Sequence, residues 1–328
     1  LIIITGGAGF IGSNLVAGLE AAGEAGLVVC DRLGCAEKWR NLGRRLPADI
    51  VPPERLFEAI AACGPALSGV FHLGAISDTT ARDGDAVVET NFRLSVALWR
   101  ECARLGVPFY YASSAAVYGD GSRGFADGND PGQLRGLRPL NLYGWSKWLF
   151  DGWVLAALAR GEPAPPAWAG LRFFNVYGPN EYHKGAMQSL VAKIIAAHQP
   201  GAPVRLFKSY RDGIADGDQA RDFIHVDDAV AVMLWLWQGR RTAGIVNVGT
   251  GVARSFRDLA EAAMLAAGEA PMIAFIDMPE SIRDAYQYYT CADMRRLRAL
   301  GFAHAFRTLE AGVGGYVRDY LLTAEPYR

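Results

Sequence analysis

The sequence predicts an α/β fold: a doubly wound parallel sheet, joined by a smaller α/β unit drawn largely from the second half of the chain. Three observations predict it. Short β-branched runs that are apolar throughout alternate with longer stretches of helical periodicity, the pattern of parallel strands buried on both faces by crossover helices. A glycine-rich turn joins the first such run to the first helix. Beyond about residue 174 the alternation loosens, and a Gly- and Asp-rich stretch at 208–222, KSYRDGIADGDQARD, reads as an excursion.

In chain order, LIIIT (1–5) and LVVCD (27–31) read as strands around a helix from about Phe10 to Ala22. GVFHLGA (69–75) and VPFYYASS (107–114) bracket a second helix, roughly Asp85 to Leu105. LRFFN (171–175) follows a third, about Tyr143 to Arg160. Right-handed crossovers are expected between them. GEPAPPAWAG (161–170) has the composition of a linker, but it lies between a helix and a strand of one sheet and reads as a surface loop. The second half adds a helix near 186–198, strands IVNVG (245–249) and MIAFI (272–276), and the helix SFRDLAEAAMLAAG (255–268), for which Ser255 is a good cap. No internal repeat is visible.

At 328 residues the chain can form one large or two modest domains around a sizeable core. A formal net charge of −1 gives no general attraction to nucleic acid or to an anionic membrane. No apolar run is long enough to span a bilayer, and LIIITGGAGFIG carries no basic leader, so no signal peptide is expected. The 5 cysteines are scattered and odd in number, which suits reduced thiols and a cytoplasmic location. The histidines show no metal-ligand spacing, so no metal is expected. Trp145, Trp148 and Trp153 share one predicted helix and read as packing residues.

Gly6-Gly7-Ala8-Gly9-Phe10-Ile11-Gly12 follows the first strand and opens the first helix, and Asp31 ends the next strand. Glycines at 6, 9 and 12 let the backbone turn and approach a pyrophosphate, which the helix N-terminus stabilises. This context marks a dinucleotide site. Asp31 can accept hydrogen bonds from an adenosine ribose, which favours NAD. Arg32, Lys38 and Arg40 follow closely and can hold a 2′-phosphate, so NADP is expected, with NAD the alternative.

Tyr143 and Lys147 stand at i and i+4 on one helix face. With 13 tyrosines and only 5 lysines in 328 residues, chance supplies about 0.2 such pairs. A lysine beside a tyrosine is expected to lower the phenol pKa and fit it for proton transfer. Ser113 and Ser114 end a strand, where ligands of open α/β sheets bind. Against 28 arginines the few lysines stand out, and Lys184 sits in the loop of FNVYGPNEYHKGAM (174–187). Arginine stays charged at any ordinary pH, whereas a lysine can be tuned to release its proton. His183 reads equally as a solvent-facing loop residue or as a substrate contact.

Gly6–Gly12, Asp31, Ser114-Ala-Ala-Val-Tyr-Gly119 and Tyr143-x-x-x-Lys147 together resemble the extended short-chain dehydrogenase/reductase family over essentially the whole chain. The resemblance implies a Rossmann-type NADP-binding domain, residues 1–173 plus about 223–248 and 295–315. It also implies a smaller α/β nucleotide-sugar domain, about 174–222, 249–294 and 316–328. His183-Lys184-Gly185-x-Met187, Lys38-Trp-Arg-Asn-Leu42, Arg221-Asp-Phe223 and Tyr286-Gln-x-x-Thr-x-Ala-Asp293 are similar to the branch of ADP-heptose 6-epimerases. That branch inverts a secondary alcohol by oxidation and re-reduction with bound NADP, and serves lipopolysaccharide core synthesis as a cytoplasmic homo-oligomer.

Inversion through a planar ketone calls for a proton-transfer group on each face. The resemblance implies Tyr143 and Lys184 for these, with Lys147 supporting Tyr143 and Ser114 orienting the reacting oxygen. It implies cofactor contacts from Phe10, Ile11, Leu73, Gly74, Ala75, Ser77, Asn91 and Val176 besides the residues above. Substrate contacts are implied for Asn175, Ala186, Lys193, Phe207, Lys208, Ser209, Arg221 and Tyr286, with Arg221 on the diphosphate. Ala186 stands where the branch has serine, Lys193 where it has histidine, and the 209–219 loop is longer. Another nucleotide-sugar 4-epimerase or dehydratase of the same fold is the alternative. A 4,6-dehydratase would carry Asp-Glu directly after Ser114, where Ala115-Ala116 stands. A catalytically silent NADP-binding protein would have no use for Ser114, Tyr143 and Lys147 together.

Overall fold

The structure, a computed structural model, describes residues 1–283 and 286–328. Seven strands form one parallel sheet: β1 (Ile2–Thr5), β2 (Leu27–Cys30), β3 (Asp49–Val51), β4 (Gly69–His72), β5 (Phe109–Ser114), β6 (Trp168–Phe173) and, after three strands that lie elsewhere, β10 (Gly244–Val248). Their order is β10-β6-β5-β4-β1-β2-β3. The chain therefore reverses its winding between β1 and β4, and the carboxyl ends of β1, β4 and β5 meet at that switch point, where ligands of such sheets bind. Every residue of β1, β2, β4 and β10 is buried, which is why these strands read as unbroken apolar runs.

The first predicted helix is observed at Phe10–Ala21 and the third at Leu142–Ala159. The second is not uniform: α-helical turns at Gly84–Val87 and Leu94–Leu105 flank a π-helical segment, Val88–Arg93. Such a bulge turns one residue inward and often marks a functional site. Here it buries Asn91, whose amide accepts from Ile76 N (2.8 Å) and donates to Ile76 O (2.9 Å) and Ser146 Oγ (3.0 Å). Trp148 and Trp153 pack against the main core as expected, but Trp145 is exposed.

The remaining strands are short: β7 (Asn175–Tyr177), β8 (Val204–Phe207), β9 (Ala220–His225), β11 (Ala253–Ser255) and β12 (Ile273–Ile276). β9 lies parallel to β7 and antiparallel to β11, while β8 and β12 form a parallel pair. A second core of Tyr177, Val191, Leu206, Leu259, Val313 and Tyr316 lies beneath them. Of the segment 295–315 expected in the nucleotide domain, Leu297 and Phe302 pack in the main core, while Leu309 and Val313 belong to the second: the helix Leu309–Tyr316 packs on the helix Phe256–Ala266. Conversely Ala292 and Met294, expected in the smaller domain, pack into the main core. The expected helix at 186–198 begins only at Leu190, capped by Ser189, because the backbone kinks at Gly185 with φ +52°.

Beneath the carboxyl end of β5 runs a buried polar network. Asp151 accepts from Tyr111 Oη, Ser113 Oγ and Arg172 Nε, each at 3.0 Å, and Arg172 Nη1 reaches Tyr118 Oη at 3.1 Å. A buried pair of this kind is costly to break from one side, because the partner is left charged without compensation. Arg172→Met is expected to lower stability by about 3–5 kcal/mol in urea denaturation. A loss below about 1 kcal/mol would match a solvent-screened surface pair instead.

Candidate active site

The glycine loop is shaped by close backbone approaches. Gly6 has φ +66°, and a Cβ there would lie 2.7 Å from Gly74 N. A Cβ on Gly12 would lie 2.1 Å from Gly6 O. The loop after β4 is thereby pressed against the loop after β1, and Gly74 N donates to Thr5 Oγ1 at 3.1 Å. Leu73 and Gly74 lie against Gly6, and Asn91 holds the loop that follows through Ile76. Gly12→Ala is expected to leave a folded chain with little bound dinucleotide, since overpacking by one methyl costs about 1–3 kcal/mol and must displace the cradle itself. Nucleotide retained per chain after gel filtration reads this directly, and full retention would contradict it.

Asp31 faces this loop. Its carboxylate accepts from Ala8 N (3.0 Å), Arg32 N (2.7 Å) and Lys38 Nζ (2.6 Å). Of the three cations expected near a 2′-phosphate, only Lys38 stands over Asp31. The guanidinium of Arg32 is turned outward to Glu54, and Arg40 packs on the Tyr327 ring at 4.5 Å beside Glu37. An exposed carboxylate partner thus holds the Arg32 guanidinium away from Asp31.

Ser114, Tyr143 and Lys147 come together at the end of β5. Gly144 permits this, because a Cβ there would stand 2.8 Å from the Ala116 carbonyl oxygen. Asn141 caps the helix by accepting from Gly144 N at 2.8 Å, which sets Tyr143 on its first turn. The Ser114 hydroxyl accepts from Ala116 N at 3.1 Å and lies beside the Tyr143 phenol. Lys147 Nζ lies 6.0 Å from the centre of the Tyr143 ring.

The expected lowering of the phenol pKa by Lys147 is not found: desolvation raises it, and the neighbouring Ser114 hydroxyl opposes that rise. The lysine itself responds to burial. Desolvation pushes its ammonium down to about 8, against the attraction of Asp151. Buried His72 is pushed down to about 3 by desolvation and by Lys147, and stays neutral. It is wedged between Thr5 Oγ1 (2.7 Å) and Ser95 Oγ (2.9 Å).

A cavity of about 530 Å³ opens beside the sheet end. Asn175, Val176, Lys184, Lys193, Phe207 and Tyr286 line it, all expected at the site. Lys184 Nζ also stands 5.4 Å from the Phe10 ring, so this lysine joins the cavity to the first turn of the glycine-loop helix. Desolvation lowers its pKa, with Lys193 adding to the shift and Glu181 opposing it. Ser114 pairs in register with Phe173, two residues before Asn175, so the serine and the cavity lie at neighbouring strand ends.

Besides Ser114, four expected substrate residues lie outside the lining. Ala186 is exposed and offers its carbonyl to Lys193 Nζ at 2.6 Å. Lys208 pairs with Asp277 at 3.1 Å, and Ser209 N donates to Asp216 Oδ1 at 2.7 Å. The Arg221 guanidinium lies one layer back, 5.2 Å from the Tyr286 ring and 5.4 Å from Phe256, bound to the Ala220 and Gln287 carbonyls. From there it supports two lining rings. Arg205, Gln219, Phe223 and Phe256 line the cavity and were missed in the sequence. Arg205 and Phe223 lie in the short strands β8 and β9, whose alternation carried their signal, while Gln219 precedes β9 and Phe256 opens the helix Phe256–Ala266. Among the described residues no cluster of three or more His, Cys, Asp or Glu could hold a metal, and no helix is long and apolar enough to cross a membrane.

The family model described as "NAD dependent epimerase/dehydratase family" matches residues 2–249. The chain belongs to that family. Its members' cofactor class, a nicotinamide dinucleotide, fits the cradle at Gly6–Gly12. Across its full length the chain is 46% identical to the ADP-L-glycero-D-manno-heptose-6-epimerase of Nitratidesulfovibrio vulgaris (strain DP4), covering 100% of both. It is also similar to the crystal structure of ADP-L-glycero-D-manno-heptose-6-epimerase from Helicobacter pylori, with TM-score 0.75 and 26% identity over 97% of this chain and 95% of that one. A third likeness is to MoeE5 in complex with UDP-glucose and NAD, with TM-score 0.72 and 28% identity over 96% and 97%.

Proposed function

We propose that this chain inverts C6 of the heptose in ADP-D-glycero-D-manno-heptose to give ADP-L-glycero-D-manno-heptose, using tightly held NADP. The observation that carries the reading is Lys184, a desolvated ammonium that lines the cavity and also reaches the glycine-loop helix. A 4-epimerase that relies on a tyrosine alone has no need of it there. A nicotinamide dinucleotide held by the Gly6–Gly12 cradle and Asp31 would supply the hydride chemistry at C6. Ser114 and Tyr143 bind the C6 oxygen on one side, and Tyr143 moves its proton. Lys147 holds positive charge behind the phenol, and Asp151 keeps that charge favourable. Lys184 holds or moves the proton when the opposite face of the ketone is presented.

The lining rings Phe207, Phe223, Phe256 and Tyr286 suit a nucleotide base, and Lys193 and Arg205 suit its phosphates. Lys38, on Asp31, supports NADP over NAD. An apolar groove of Phe92, Leu134, Trp148 and Trp153 on the outer face supports a homo-oligomer, and the cytoplasm and lipopolysaccharide core synthesis are the setting proposed for the reaction.

Purified protein incubated with ADP-D-glycero-D-manno-heptose, with no cofactor added, is expected to form the L-glycero epimer by proton NMR. Absence of conversion even with NADP or NAD supplied, together with activity on a UDP-, GDP- or dTDP-sugar, would overturn the substrate reading.

A further inference from the structure

Two sequence stretches that the mechanism leaves unused meet in the structure. Lys38-Trp-Arg-Asn-Leu42 forms a 3-10 helix, Glu37–Leu42, beside the glycine loop, and His183 precedes Lys184 in the 3-10 turn Tyr182–Met187. Asn41 is buried between them. Its Nδ2 donates to Ala8 O at 2.9 Å and lies 3.1 Å from His183 Nδ1. The Ala8 carbonyl can only accept, so it fixes which end of the amide is the NH₂ group. That group has a second hydrogen, and His183 Nδ1 must accept it. The imidazole is therefore neutral, with its proton on Nε2.

We propose that Asn41 and His183 form a latch that positions Lys184 against the cofactor cradle, so that the second proton-transfer group is held from the glycine loop rather than from its own loop. This rests on the reading of Lys184 given above. Several features bear it out. The other face of Ala8 already serves the cofactor side, because its N–H binds Asp31, on which Lys38 sits. The loop of Lys184 has a kink at Gly185, φ +52°, so without an external tie its rotation is weakly specified. Asn180, three residues before His183, is tied to the same place, donating to Ser13 Oγ (3.0 Å) and Asn41 O (3.4 Å). The charged groups facing His183 are Lys38, Lys184 and Asp31. Desolvation and the two ammonium groups hold it down to about 4, against Asp31 and the Asn180 backbone, so the acceptor at Nδ1 persists at working pH.

The latch makes a prediction that loss of general stability does not share. Lys184 serves one face of the ketone and Tyr143 the other, so a misplaced Lys184 should slow hydride transfer from only one of the two epimers. His183 is part-exposed, and His183→Leu removes the acceptor without emptying a core. Single-turnover reduction of the bound cofactor, followed by near-ultraviolet absorbance, is expected to slow about 10²-fold with one ADP-heptose epimer and to hold within about twofold with the other, the scale of a misplacement of about 1 Å. His183→Gln restores a carbonyl acceptor and should recover most of the loss. Equal slowing with both epimers, or identical behaviour of the two variants, overturns the latch.

A second readout needs no substrate. In ¹⁵N NMR of the wild-type protein the His183 ring should keep Nδ1 unprotonated, with no titration between about pH 5 and 8. Titration there overturns the latch even if the enzyme is active. If neither epimer reduces the cofactor, the substrate reading fails while the ring signal still decides the latch.

Discussion

Tyr143→Phe lowers turnover by about 10²–10⁴-fold, the usual contribution of a positioned acid–base group, while the bound cofactor stays in place. The substitution removes one oxygen and keeps the ring, so the packing of the helix Leu142–Ala159 is preserved. What is lost is the phenol beside Ser114. The cation behind that phenol sets a pH dependence. Burial lowers the Lys147 ammonium to about 8, so it is charged below that pH and loses its proton as pH rises through it. A phenolate left without the cation is less stable, and turnover should fall on the alkaline side of about pH 8. Lys147→Met should remove that limb and leave a low, flatter profile. A profile of the variant that kept the wild-type limb would assign it to another group.

Lys184→Gln is expected to abolish net epimerisation to a similar degree, about 10²–10⁴-fold, with NADP still bound. Glutamine keeps the length and polarity needed to line the cavity but has no proton to exchange near neutrality. Lys184→Arg is the sharper control. It preserves the positive charge, and a simple phosphate contact would tolerate it well. A guanidinium cannot serve as an acid–base group, so the arginine variant should be nearly as inactive as the glutamine one. Steady-state rates for the two variants decide this. Activity of Lys184→Arg within about tenfold of wild type would reduce Lys184 to a charge contact.

Much of the fold was legible because its signals are local. Buried parallel strands must be apolar throughout, and β1, β2, β4, β5 and β10 announced themselves that way, whereas the start of β6, Trp168 to Gly170, had read as part of a surface loop and is buried strand. The glycine loop and the Tyr143–Lys147 spacing were legible for a similar reason, since each is a constraint within one turn. The helix Val226–Gln238 was missed because it is apolar on nearly every side, with Val226, Val230, Met233 and Trp237 all buried, which blurs a helical period. The short strands β8 and β9 hide behind the 208–219 loop.

The fates of Arg32 and Arg221 depended on distant partners. Glu54 draws one outward, and the carbonyls of Ala220 and Gln287 hold the other inward. Neither pairing has a signature in local spacing. The meeting of Asn41 with His183, 142 positions apart, is invisible in the same way.

In the proposed reaction one carbon gives up a hydride and takes the same hydride back on its other face. Conversion of ADP-D-glycero-D-manno-heptose in D₂O, followed at C6 by proton NMR, distinguishes this from exchange with solvent. The L-glycero product is expected to accumulate with its original C6 hydrogen and no deuterium at that position. Deuterium at C6 of the product would mean a proton exchanged with solvent, and would contradict it.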